Sequence, residues 1–153
     1  MKGKISTDKK IINQIIDKCT TCYLGMSDEK NTPYVLPFNF GYDGTYIYLH
    51  SAKEGKKIDI LKRNNKVSLA FSTDHVLFHR HEQVACSYGM KFRSVVADGK
   101  VEFIDDYDKK VEVLNKIMQK YTGKEFTYNA PAVNNVAVYK VHINSITAKE
   151  VGY

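Results

Sequence analysis

Between positions 20 and 51 the chain holds three strand-like runs with only turn residues between them. Residues 20–27 are rich in Thr, Tyr and Leu and stop at the polar cluster Asp28-Glu29-Lys30-Asn31. Residues 34–40 are aromatic and β-branched, and Tyr42-Asp43-Gly44 supplies a hairpin signal before the run 45–51. In that third run Tyr46, Tyr48 and His50 face one way and Ile47, Leu49 and Ser51 the other, the period of a pleated strand. Connections this short join antiparallel neighbours, because a parallel crossover needs roughly a dozen residues. The pattern therefore argues for an antiparallel meander and against a doubly wound parallel sheet.

The rest of the chain extends the same theme. Residues 66–73 read as a strand, 74–83 as a histidine-rich loop or irregular edge, and 84–104 as two strand-like runs with Asp98-Gly99 marking a tight turn or a bulge. Residues 136–143 alternate as a late strand, which 145–150 extend. Three helices are expected. The first carries Ile11, Ile12, Ile15 and Ile16, capped by Ser6 or Thr7 with Asp8 suiting its positive start. The second spans 53–63 with Ile58, Leu61 and the stem of Lys62 on its inner face, and Asn64-Asn65 end it. The third carries Val111, Leu114, Ile117, Met118 and Tyr121. Six or seven antiparallel strands and about three helices make a mainly β fold, a closed barrel with helices at its mouths.

Composition bounds the function. At 153 residues, 43% hydrophobic and 26% charged, the chain is one continuous domain over 1–153 rather than a disordered segment. No apolar run approaches the ~20 residues that span a bilayer. The polar stretch 1–10 shows no secretory signal, and three scattered cysteines fit a reducing compartment, so a cytoplasmic location is expected. A net charge of +6 favours anionic ligands.

The most informative stretch is 48–59, where a strand ends near Ser51, Gly55 follows, and Lys56 and Lys57 open a helix. Two lysines at a positive helix start oppose the macrodipole by some tenths of a kcal/mol each. A bound anion reverses that sign: main-chain N–H groups, two ammonium groups and the Ser51 hydroxyl would converge on a phosphate. A solvated lysine pair without a ligand is the competing reading. Upstream, Pro37 sits inside a strand and cannot donate to a ladder, so that strand is an edge or breaks for a ligand. Main-chain groups left open there can bond the polar edge of a flat heterocycle, with Phe38 and Phe40 packing on its faces; ordinary core aromatics on an edge strand are the alternative.

The ordered set Pro37-Phe-Asn-Phe-Gly-Tyr42, Ile47-Tyr-Leu-His-Ser-Ala52, Gly55-Lys-Lys57 and Ser94-Val-Val-Ala-Asp-Gly99 resembles the pyridoxamine 5′-phosphate oxidase-like, FMN-binding split β-barrel superfamily, and within it the nitroimidazole-resistance branch. The resemblance covers roughly residues 19–143. It implies a homodimer that binds two FMN molecules between its subunits. It implies that the main chain of Pro37, Phe38 and Asn39 lines the isoalloxazine ring and that His50, Ser51 and Ala52 lie along the ribityl-phosphate. Lys56, Lys57 and Ser94 would hold the phosphate with Val95 beside it, and a late-strand residue of the second subunit, with Tyr139 as the candidate, would close over the flavin. The implied activity is an FMN-dependent oxidoreductase acting on a small organic molecule; a non-catalytic flavin- or haem-binding protein is the alternative. The arginine-rich substrate motif of the vitamin B6 oxidases is absent, and the chain contains no tryptophan, so B6 oxidation is not expected.

Other signals are weaker. His75, His79, His81, Glu82 and Cys86 do not form a zinc spacing, so no metal is expected. Cys19 and Cys22 have the Cys-x-x-Cys spacing but end a helix instead of starting one, and read as a core pair. The tyrosines fall at strand positions without a basic stripe beside them, which argues against nucleic acid. No side chain is an obvious general acid or base. His50 is read as a phosphate or ribityl donor in preference to an acid–base group.

Overall fold

The computed structural model describes residues 2–153. In chain order the elements are β1 (Gly3–Ser6), α1 (Lys9–Lys18), β2 (Cys22–Ser27), β3 (Pro33–Phe38), β4 (Gly41–Tyr42), β5 (Tyr46–Ala52), α2 (Lys56–Arg63), β6 (Lys66–His79), a 3-10 turn (Ala85–Ser87), β7 (Tyr88–Ile104), α3 (Tyr107–Thr122), α4 (Ala130–Asn134) and β8 (Val136–Val151). All strand pairs are antiparallel and belong to one eight-stranded sheet of order β3-β2-β6-β7-β8-β5-β4, with β1 added to the far part of β8.

The sheet is split rather than closed, because β3 and β4 form the two ends of the path and do not pair with each other. Chain connectivity nevertheless forces it to curl. Phe38 ends β3 and Gly41 begins β4, so only Asn39 and Phe40 join the outermost strands. Three Cα–Cα steps reach at most ~11 Å, whereas six strand spacings laid flat would separate the ends by ~29 Å. The seam is filled by Phe40, which is fully buried edge-on against Phe71 at 5.0 Å between ring centroids. The Phe40 N–H donates to the Tyr121 hydroxyl at 3.1 Å, so α3 lies over the seam.

Alternation produces two apolar layers. The inner faces of the strands supply Leu24, Ile47, Leu49, Leu69, Phe71, Val95 and Tyr139, against which α1 packs Ile12, Ile15 and Ile16. On the opposite face of β5 and β8, Tyr48 and Val138 pack beneath Val113, Leu114 and Ile117 of α3 and Val133 of α4.

Several boundaries differ from the sequence reading for identifiable reasons. Asp8, rather than Ser6 or Thr7, caps α1 by accepting from the Lys10 N–H at 2.8 Å. The stretch 74–79 is not a loop: β6 absorbs a bulge between Thr73 and Val76, with Asp74 at φ +57, and continues to His79. Residues 88–104 form one strand, and Asp98-Gly99 is a register irregularity inside it against β8. A Cβ at Gly99 would lie 2.1 Å from the His142 carbonyl oxygen, so only glycine permits the close approach. The short β1 and the one-turn α4 were not anticipated.

Candidate functional site

The loop from β5 into α2 has the geometry of an anion cradle. Gly55 is the N-cap of α2 at φ +119, a conformation that disfavours any residue with a Cβ, and no side chain caps the helix. A Cβ built on Gly55 meets nothing within 4 Å, so the space above the helix start is open. The Ile58 and Asp59 N–H groups both donate to the Gly55 carbonyl at 3.1 Å, which leaves the earlier N–H groups of the turn directed outward. Lys56 is exposed, with its Nζ over the Tyr34 ring at 4.3 Å, and Lys57 is half-buried. Asp59 is the acid of that turn and is exposed. Tyr34 belongs to β3, so Lys56 ties α2 to the edge strand that carries Pro37.

Among the described residues β3 pairs only with β2, with Pro37 opposite Tyr23. Its other edge has no strand partner, as a proline there permits. The aromatic rings of this segment do not line that edge. Phe40 fills the seam, and Phe38, 8% exposed, sits edge-on to Tyr139 at 6.3 Å. Both are core side chains, and the expectation that they cover the faces of a heterocycle is corrected accordingly. Only main chain near Pro37, Phe38 and Asn39 remains to line a ligand.

Strand alternation separates the neighbours His50 and Ser51. Ser51 points with Leu49 toward the inner core, where its Oγ accepts from the Tyr139 hydroxyl at 3.1 Å and donates to the Ala52 carbonyl at 2.9 Å. Tyr139 has no exposed surface, and burial pushes its hydroxyl up to about 12. It therefore supports Ser51 of its own chain from within and is not placed to close over a ligand held by another copy. His50 turns to the other face of β5, and its Nδ1 is buried without a hydrogen-bond partner. Burial lowers the imidazole pKa below its ordinary value.

Ser94 lies apart from these groups. It pairs with Ser72 of β6 and Lys149 of β8, on the outward face of the sheet, while Val95 points into the core with no exposed surface. Within one chain, Ser51, Lys56 and Lys57 flank the loop from β5 into α2 and Lys56 reaches β3, whereas Ser94 stands on the outward face of the sheet. The outward row Pro37, Tyr23, Ala70, Val96 and Thr147 crosses the same face without a single charge. Sequence reasoning missed this row, since each strand contributes only one residue to it.

The remaining candidates are accounted for locally. Cys19 and Cys22 are buried thiols, and burial pushes Cys22 up to about 12. His75 bonds Ser72 at 2.7 Å, and His79 stacks on Tyr88 at 4.7 Å. Among the described residues no group of three or more His, Cys, Asp or Glu side chains converges as a metal site. Cys86 is exposed near the tip of the β6–β7 ribbon.

With that geometry in place, comparison with known proteins is direct. The family model described as pyridoxamine 5′-phosphate oxidase matches residues 8–150. The chain belongs to this family. A protein from Bacteroides thetaiotaomicron, named as a candidate 5-nitroimidazole antibiotic resistance protein, is 44% identical; the alignment covers 97% of this chain and 87% of that one, with a TM-score of 0.87. A flavocytochrome from Azotobacter vinelandii shares the fold at 22% identity and TM-score 0.81, over 97% of this chain and 70% of its own. An FAD- and haem-binding protein from Mycobacterium smegmatis shares it at 16% identity and TM-score 0.85, over 98% and 74%. A search of curated proteins gave no match.

Proposed function

We propose that this member of the pyridoxamine 5′-phosphate oxidase family is an FMN-dependent oxidoreductase that works as a homodimer on a small organic substrate. The observation that carries the reading is the uncapped start of α2, where Gly55 leaves open space and Lys56 and Lys57 bring positive charge against the macrodipole. A doubly charged phosphate removes the penalty of both lysines and bonds the outward N–H groups. The orphan Nδ1 of His50 is a second polar group that a ligand would relieve.

The protein's share of the chemistry is holding and orienting. Lys56 and Lys57 fix the phosphate end, and Ser51, held between the Tyr139 hydroxyl and the Ala52 carbonyl, fixes the end of β5 from which the loop departs. The free edge of β3 offers main-chain donors and acceptors to the polar rim of a planar ring. Bound flavin supplies hydride or electron transfer to and from a small molecule. A reductase role toward nitroaromatic compounds fits the likeness to the Bacteroides protein.

An exposed face of the sheet fits the dimer that this reading requires. Ser94 and the uncharged outward row lie on a face that includes Tyr23 at 49% and Val96 at 44% exposure. Large apolar groups in an uncharged exposed row favour coverage by another protein surface. A dimer formed on that face would bring Ser94 of one subunit toward the cradle of the other, so that the site is built from two chains.

Titration of the purified protein with FMN, followed by flavin fluorescence, tests the proposal. K56A/K57A is expected to weaken FMN binding at least tenfold while leaving the thermal midpoint nearly unchanged. Unaltered affinity in that variant would place the phosphate elsewhere. Reduction of the bound flavin by a nicotinamide donor and reoxidation by a nitroaromatic would support the enzyme, and a Soret band after reconstitution with haem would favour the binding protein instead.

A further inference from the structure

We propose that the groove between α2, α3 and the paired ends of β7 and β8 is a second ligand site, specific for a small organic anion with an apolar body. It has a volume of about 570 Å³, within the range of roughly 300–1,000 Å³ of ordinary small-molecule sites. Ile58, Phe103 and Ala137 give it apolar lining, and Lys53, Lys62 and Lys110 surround that lining.

Lys110 is the decisive residue. It is 7% exposed, the one charged side chain buried to that degree among the described residues. Its Nζ donates to the Val136 carbonyl at 2.7 Å, and among the described residues no carboxylate forms an ion pair with it. An ammonium group carries three donors, and burial with one acceptor leaves the charge poorly compensated. Its surroundings add to the imbalance. Lys110 stands in the first turn of α3 and Lys53 repels it; Asp105 offsets that repulsion, while the Asp106 cap and Asp108 answer the macrodipole of the helix start. Lysines 53, 62 and 110 with Asp105 leave the groove doubly positive. A carboxylate, sulfonate or phosphate monoester beside Lys110 would pair the buried charge, while an aromatic or aliphatic body covers the apolar lining. The groove is distinct from the flavin cradle: Lys56 reaches over α2 toward Tyr34 of β3, whereas Ile58 and Lys62, one turn apart, face β7 and β8.

Benzoate and its neutral near-isostere benzamide are the probes. In a titration of the full chain labelled with 15N, benzoate is expected to shift the amides of Ile104 and of 136–138 in a saturable way, with benzamide at least fivefold weaker. K62A removes an exposed lysine of the groove that lies outside the loop from β5 into α2 and keeps the fold, and it is expected to weaken benzoate at least fivefold without altering FMN affinity. Shifts confined to other regions, equal binding of benzamide, or an unchanged affinity in the variant would each overturn the site. Displacement of benzoate by FMN would also overturn it by assigning the groove to the flavin; failure of FMN to bind at all would leave the benzoate result standing.

Discussion

The hydroxyl of Tyr139 donates to the Oγ of Ser51 at 3.1 Å, inside the barrel and directly beneath the loop that leads to α2. This contact links a fully buried aromatic side chain of the core to the residue that borders the proposed phosphate cradle. It also sets up an asymmetry. Tyr139→Phe removes the donor, and Ser51 keeps its bond to the Ala52 carbonyl, so the cost is about 0.5–1.5 kcal/mol. Ser51→Ala strands a fully buried tyrosine hydroxyl, which costs about 1–3 kcal/mol. Urea unfolding of the two variants is expected to rank Ser51→Ala as the more destabilised, and the reverse order would show that the hydroxyl finds another partner.

Gly99 is a point at which the barrel has no room for a side chain. Alanine there drives a Cβ to within 2.1 Å of the His142 carbonyl oxygen, backbone that cannot turn aside like a flexible side chain. The β7–β8 pairing must separate locally, at a cost of about 3 kcal/mol or more. Gly55→Ala forms the useful contrast, because its Cβ meets open space and only the positive φ opposes it. We expect thermal unfolding to show a much larger fall for Gly99→Ala, and FMN titration to show the larger loss of binding for Gly55→Ala.

These two glycines illustrate what the chain made legible before folding. Turn and cap chemistry is local, so Gly55 before two lysines and Asp98-Gly99 inside an apolar run could be read directly. The β2–β3 and β4–β5 hairpins were equally readable, but the single meander expected over 20–51 is not formed: β3 and β4 end opposite sides of the strand path, because the chain passes from one to the other through the Phe40 seam without pairing them. The extension of β6 past Asp74 was not, since the polar residues 74–75 look like a loop and only a bulge with positive φ carries the strand through. The split of the barrel came from the family resemblance alone, since strand alternation suggested a closed barrel and closure depends on which strands end the path. Neighbouring letters concealed the separation of His50 from Ser51, as a motif read along a strand places on one line what the pleat sends to opposite faces. Lys110 gave no signal at all: one lysine on an amphipathic helix looks solvated until α4 and the start of β8 fold over it.

His50 carries the pH dependence that follows most directly from burial. Its imidazole is held below the ordinary 6.5 by loss of solvent, so the folded state favours the neutral ring. The sign follows: stability from this group is complete above 6.5, where the ring is neutral in both states, and is lost as pH falls below it, where the unfolded chain binds the proton more readily. Imidazole resonances followed by NMR are expected to give a His50 midpoint below 6.5, and His50→Gln is expected to flatten the stability profile between pH 6.5 and 5. A midpoint at or above 6.5 would show that Nδ1 has acquired an acceptor.

The uncharged row across the sheet leads to the last prediction. Ala70 and Val96 are register partners at the middle of that row, and both are exposed in the single chain. In an isolated barrel a lysine at either place would meet only water, and the thermal cost would stay within about 0.5 kcal/mol. In a dimer paired through this face, Val96→Lys buries an unpaired ammonium in the contact, which is strongly unfavourable. Sedimentation velocity is therefore expected to show a dimer for the parent chain and a monomer for Val96→Lys. FMN affinity should fall with the dimer, because Ser94 stands one row from Val96 and would reach the cradle only across the interface. A variant that remains dimeric would move the interface to another face, and a monomer that binds FMN as tightly as the parent would confine the flavin site to one chain.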